Sequence, residues 1–249
     1  GDENGTSEDD LRKAISEKTA AVHQVIYEQK PTDPNVLTLD QVIEITHATG
    51  KPVSVDAAGQ IYPLENFGKY VKMGADFQCI AAKYMGAPHS TGFALGTKEV
   101  IDAIGRHSFV GYEGRRIRGI GRPHKIDRQE IMGVVAAVRR WMTLNHEDRL
   151  SSAEAQSQSI IKPLTGLPGV TAELNTNIKG HQPFGVLVSV DPDIVGFTND
   201  DLVTKLRNGD PSIWTRVSLD APVLEIHVFG LGEDQAELVG NAIADAVTG

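Results

Sequence analysis

The chain has 249 residues, 40% of them hydrophobic, which is enough for one large domain, or one and a half, around a real core. Acids outnumber Lys plus Arg by 33 to 24, and the net charge of −9 argues against a general affinity for nucleic acid or anionic membrane. The single cysteine, Cys79, excludes an intrachain disulfide and a cysteine-rich zinc site and suits a reducing, cytoplasmic setting, and no apolar run reaches membrane-spanning length.

Ser7 followed by Asp10 forms a capping box for a first helix through Leu11 and Ile15, and Thr19 to Tyr27 reads as a strand. Thr38 and Gln41 make a second box for a helix with Val42, Ile43 and Thr46 on one face. Gly50 and Pro52 stop that helix before a Val53–Val55 strand. Strand, helix, strand is a crossover and predicts a parallel sheet. A further helix is expected from Leu64 to Met73, then a strand from Ala75 to Ala81, a small-residue loop around Lys83, a short strand from Gly92 to Gly96 and a helix from near Thr97. Asp127 with Glu130 caps a long helix whose expected apolar face is Ile131, Val134, Val135, Val138 and Met142.

Between Asn145 and Ser152 the composition turns polar, and the expected domains are 1–148 and 149–249. The second reads as a smaller α/β unit with a helix near Ala153 to Leu164, strands at Gly185–Val190 and Val223–Val228, a helix from Thr198 to Leu206 and a last helix from Glu233 to Val247. The fold class is α/β with a mostly parallel sheet. No internal repeat is visible.

Ligands of open parallel sheets sit beyond the carboxyl ends of the strands, and that is where this reading puts both Asp56 and Lys83. Asp56 closes Val53-Ser54-Val55-Asp56-Ala57-Ala58, whose small residues leave room for a flat ring, and Lys83 stands in Ala81-Ala82-Lys83-Tyr84-Met85-Gly86. Pyridoxal phosphate needs both an amine for a Schiff base and a carboxylate that keeps its pyridine nitrogen protonated. A lysine withdrawn from water is the better nucleophile for that step.

Ser90 and Thr91 stand in a Gly/Pro-bracketed loop that either holds a phosphate through hydroxyls and amides or is an ordinary turn. His89 is a candidate substrate contact, whereas Gln60 reads as a cap of the segment that follows it. The patch Arg115, Arg116, Arg118, Arg122, Lys125 and Arg128 suits a bidentate clamp on a carboxylate or phosphate, a tRNA strip, or a solvated or subunit face. The acidic total and the lack of interleaved aromatics weaken the tRNA reading. No histidine has a metal-ligand spacing, so no catalytic metal is expected. Gly119 and Gly121 start a dinucleotide-like spacing that fails at His124, and Gly230 and Gly232 fail likewise.

The segments Val55-Asp56-Ala57-Ala58, Lys83 ahead of Gly86-Ala87-Pro88-His89-Ser90-Thr91-Gly92, Gly121-Arg122-Pro123-His124-Lys125 and Asp210-Pro211-Ser212-Ile213-Trp214-Thr215-Arg216 run in this order along most of the chain. In this the chain resembles the fold-type-I pyridoxal phosphate enzymes, in particular the selenocysteine synthase-like group that includes D-glucosaminate-6-phosphate ammonia-lyase. The resemblance implies the carboxy-terminal part of a large cofactor-binding domain followed by a small domain. It also implies pyridoxal 5'-phosphate as cofactor, with Lys83 as its covalent anchor, Asp56 as the partner of the ring nitrogen, and Arg122 or Arg216 orienting a substrate acid group.

Two departures go with it. The group carries a longer amino-terminal stretch with a glycine- or serine-rich phosphate cup, and this chain starts after it, on Gly1-Asp2 with no legible signal peptide. Such a start is expected of a processed, engineered or truncated terminus, or of a cup carried by a companion chain. The group also places a serine and a glycine before the lysine, where this chain has Ile80, Ala81 and Ala82. The expected activity is α,β-elimination with ammonia release from a hydroxy amino acid or amino-sugar acid, in a dimer or higher homo-oligomer. The alternatives are a non-catalytic or partner subunit of a split enzyme, or a tRNA-dependent selenium or sulfur transferase.

Overall fold

Capping chemistry sets the first helices of the computed structural model, which describes residues 1–2, 5–26, 35–114, 117–176, 184–218, 221–232 and 234–249. Helix α1 (Glu8–Ala14) opens on the Ser7–Asp10 box, with Asp10 N donating to Ser7 Oγ at 3.2 Å and Ser7 N to the Asp10 carboxylate at 3.0 Å. Strand β1 (Val22–Val25) is shorter than the expected Thr19–Tyr27. Helix α2 (Leu39–His47) starts on the Thr38–Gln41 box and buries Leu39, Val42, Ile43, Ile45 and Thr46. Gly50, at φ 70°, then turns the chain into β2 (Val53–Asp56).

The Leu64–Met73 helix of the sequence reading is broken. A single 3₁₀ turn spans Leu64–Asn66, and α3 is only Lys69–Met73, because Gly68 between them takes a left-handed φ of 79° that no helix interior accommodates. Strand β3 (Phe77–Ala81) follows, then β4 (Gly92–Gly96), α4 (Lys98–His107), α5 (Phe109–Glu113) and α6 (Arg128–Thr143). The sheet order is β1-β2-β3-β4, with β1, β2 and β3 parallel and β4 antiparallel at the edge.

The packed face of α6 differs from expectation. Ala137 and Trp141 are its buried residues, with Val134 and Val138 beside them, while Ile131, Val135 and Met142 are exposed. The cause is tertiary. Trp141 inserts into the core and donates its indole N–H to the Ile61 carbonyl at 2.9 Å, which fixes the rotation of the helix.

The contacts divide the chain into Gly1–Leu144 and Asn145–Gly249. In the second unit α7 (His146–Ile161) begins well before the expected Ala153, because Asn145 accepts hydrogen bonds from the backbone of Glu147 and Asp148 and so caps a polar first turn. Strand β5 (Val170–Asn175) was not expected, although Val170, Ala172 and Leu174 alternate with polar neighbours. Next come β6 (Gly185–Val190), α8 (Pro192–Val195), α9 (Asn199–Arg207), β7 (Leu224–His227) and α10 (Gln235–Thr248). Strands β5, β6 and β7 form an antiparallel sheet, and Ile160, Val186, Val188, Leu202, Leu224 and Ile243 form the centre of its core. Tyr27, Arg115, Arg116 and Glu233 lie outside the described residues.

Candidate active site

Parallel pairing brings Asp56 and Lys83 to neighbouring strand ends. Asp56 of β2 is in register with Cys79 of β3, and the pairing continues past the end of β2 with Ala81 N donating to Ala58 O at 3.0 Å. Lys83 lies two residues beyond that bond. Alternation sorts the faces of the sheet: Val53, Val55, Gln78 and Ile80 are buried, while Asp56 and Cys79 lie together on the more open face. Across that face one row of the sheet reads Val25, Asp56, Cys79, Ala94.

The carboxylate of Asp56 is held at one oxygen. Oδ1 accepts the Ala58 N–H at 2.9 Å and the Cys79 thiol at 3.4 Å. Among the described residues Oδ2 accepts no hydrogen bond, so it is available to an N–H donor on the open face. Burial raises the Cys79 thiol pKa above its ordinary value, and the hydrogen bond to Asp56 and the charge of that carboxylate raise it further.

Lys83 sits on a 3₁₀ turn, Ala82–Met85, closed by Gly86 at φ 89°. The turn is anchored on both sides of the lysine. Ala82 and Met85 are fully buried against Ile61, Ala137 and Trp141, and Ala82 N donates to Thr91 O at 3.0 Å. The Lys83 ammonium stands 5.2 Å from the Tyr84 ring centroid and makes no ion pair among the described residues. A turn buried on either side of a half-buried lysine is a rigid mount for a nucleophile.

The phosphate end fits less well. Ser90 Oγ donates to Glu130 at 3.1 Å and Thr91 Oγ1 donates to the Pro88 carbonyl at 2.6 Å, so both hydroxyls are engaged locally. Glu130 also places a carboxylate beside Ser90, which disfavours an anion there. The residues present therefore match the amine-anchoring and ring-nitrogen ends of pyridoxal phosphate, and the 90–91 hydroxyls are not free for its phosphate.

Arg122 is stacked 5.4 Å from the centroids of both Phe109 and Tyr112, and its Nε is 3.5 Å from Glu113. Gly121 of the same motif lies where a Cβ would be 2.1 Å from the His107 carbonyl oxygen, so that glycine serves a close backbone approach. His89 is exposed on the loop. Arg216 is exposed in the second unit, at a cavity of about 380 Å³ shared with Trp214, Thr215, Glu225 and His227. Sequence reasoning missed Cys79, Tyr84 and Glu130. Only the register of β2 with β3 reveals Cys79 as a neighbour of Asp56, and only the packing of α6 reveals Glu130 beside Ser90. Among the described residues no cluster of His, Cys, Asp and Glu forms a metal site, and no helix is long and apolar enough to cross a membrane.

The chain has the fold of the fold-type-I pyridoxal phosphate enzymes. The solved structure of D-glucosaminate-6-phosphate ammonia-lyase matches it with a TM-score of 0.73 at 24% identity, over 100% of this chain and 64% of the other. Over 238 residues the chain is 28% identical to a 5'-C-glycyluridine monooxygenase-decarboxylase of a Streptomyces species, covering 95% of this chain and 56% of that protein. Over 207 residues it is 28% identical to a D-glucosaminate-6-phosphate ammonia lyase of Salmonella typhimurium, covering 83% and 51%. The chain thus spans about half the length of the curated relatives it matches. No family model matches it.

Proposed function

We propose that this chain carries the lysine and the ring-nitrogen partner of a pyridoxal phosphate-dependent enzyme that eliminates ammonia from a hydroxy amino acid or amino-sugar acid. The observation that supports it is the Asp56–Lys83 arrangement on adjacent parallel strand ends, with Oδ1 held and Oδ2 open. When bound, pyridoxal phosphate supplies an aldehyde that captures amines and a protonated ring that withdraws electrons from the substrate α-carbon. Lys83 Nζ would hold the cofactor through its aldehyde and, as a free amine, would take the proton from the substrate α-carbon. Asp56 Oδ2 would accept the N–H of the ring. Arg122 and Arg216 are the cations proposed for the substrate acid group, with His89 as a further contact. Arg216 is the less committed of the two arginines, since the guanidinium of Arg122 is already engaged with two rings and Glu113. A soluble cytoplasmic dimer or higher oligomer, with the phosphate held by residues outside this chain because the Ser90 and Thr91 hydroxyls are engaged locally, completes the reading.

A second reading, oxidative decarboxylation of an amino acid, is supported by the longer span shared with the monooxygenase-decarboxylase. Lys83 and Asp56 keep the same roles in it.

The test is the visible absorption spectrum of the protein with added pyridoxal phosphate, before and after borohydride, for wild type and Lys83→Ala. A visible band that borohydride fixes onto the peptide containing Lys83 is expected. No band in the wild type, with any co-purifying chain present, overturns the enzyme reading and leaves a subunit that binds or assembles. Ammonia release without oxygen uptake selects elimination, and carbon dioxide release with oxygen uptake selects the second reading.

A further inference from the structure

We infer that Cys79 is a positioning residue, whose thiol holds one oxygen of Asp56 and thereby fixes the orientation in which the other oxygen is offered to a ring N–H. The inference rests on the reading of Asp56 given above.

A carboxylate at a strand end can rotate about its last side-chain bond and present either oxygen. Two donors on the same oxygen limit that rotation. The Ala58 N–H reaches Oδ1 from within the same chain segment at 2.9 Å, and the Cys79 thiol reaches it from the adjacent strand at 3.4 Å. The second contact ties the acid to β3, the strand that leads directly into the Lys83 turn. Asp56 and Cys79 occupy paired register positions on one face, and β4 covers the far side of Cys79 with Ala94. The thiol is therefore well placed to couple the acid's orientation to the strand that carries the lysine. Serine at this position keeps a donor of similar size, and alanine removes the donor.

Because Cys79 is the chain's one cysteine, alkylation by iodoacetamide reports on this thiol alone. The first measurement is the pH profile of alkylation in cofactor-free wild type and Asp56→Asn. Asp56 is the charged group that acts on the thiol, so its neutralisation is expected to move the midpoint of the profile to lower pH. An unchanged midpoint would show that the two groups are not coupled and would overturn the inference whatever the cofactor does.

The second measurement is pyridoxal phosphate affinity by absorption titration in Cys79→Ala and Cys79→Ser. Alanine is expected to weaken affinity by roughly fivefold, the scale of a lost hydrogen bond to a charged group of modest donor strength, and serine to restore it to within about twofold. If alanine binds like wild type, or serine is as impaired as alanine, the thiol has no positioning role. If the alkylation midpoint moves but the wild type binds no pyridoxal phosphate, the proposed function fails. The positioning role falls with it, and only the thiol–carboxylate coupling remains.

Discussion

Cys79 is partly buried, and its thiol keeps its proton to higher pH in the folded chain than in the unfolded one, first through burial and then through Asp56. The unfolded chain therefore loses this proton first, near the ordinary thiol value of about 8.5. The stability that Cys79 contributes is fully present below that pH and is lost as pH rises through the higher folded value. Cys79→Ser removes the titrating group, so its urea midpoint is expected to fall less than that of wild type between about pH 7.5 and pH 10. Parallel loss in the two proteins would mean that the thiol has no raised value to lose. The two arginine candidates differ in what already engages them. Arg122 is spent on aromatic stacking and Glu113, whereas Arg216 stands open beside a cavity.

Elements matter here for how they hold strand ends. The Thr38–Gln41 box starts α2, which covers β1 and β2 through Leu39, Val42 and Ile43. Thr38→Ala is expected to cost about 1 kcal/mol in urea unfolding at pH 7, and a cost indistinguishable from zero would mean the backbone donors find water instead. Helix α6 supports the lysine turn more directly. Trp141 is 3% exposed and touches the cluster that contains Ala82 and Met85 on either side of Lys83. Trp141→Ala is expected to cost about 3–5 kcal/mol and to speed amide hydrogen exchange in residues 82–86. Unchanged exchange there would show that the turn is rigid without α6.

For the whole molecule, charge makes the clearest statement. A net charge of −9 and a sequence pI near 5.4 disfavour polyanions, and the basic residues between Arg115 and Arg128 include Arg122, which is already paired. No tRNA binding is expected in a filter assay at low salt. Binding that weakens steeply with salt, and that falls further in Arg118→Ala, would revive the transferase alternative. The first compact unit has one core cluster around Val53 and Val55 and another around Ile80, and the second has a core built on Ile160, Val186 and Ile243. Leu202 is fully buried in the second core, so Leu202→Ala is expected to destabilise the chain by about 2–5 kcal/mol in urea unfolding. A change well below that would mean the cavity collapses.

Local chemistry was legible in the chain itself. The Ser7, Thr38 and Asp127 boxes, the Gly50 stop, the parallel crossover and the strand-end positions of Asp56 and Lys83 all follow from hydrogen bonding and dihedral preference over a few residues. What required the tertiary structure involves residues far apart in sequence. The rotation of α6 follows from where the Trp141 indole finds the Ile61 carbonyl, eighty positions away, and not from the helix's own pattern of apolar residues. The break at Gly68 depends on a left-handed turn that a glycine permits without requiring. The engagement of Ser90 by Glu130 and of Asp56 by Cys79 arises only when α6 meets the loop and β3 pairs with β2. Sequence thus specified which residues stand at the strand ends, and packing decided which of their atoms remain free to act.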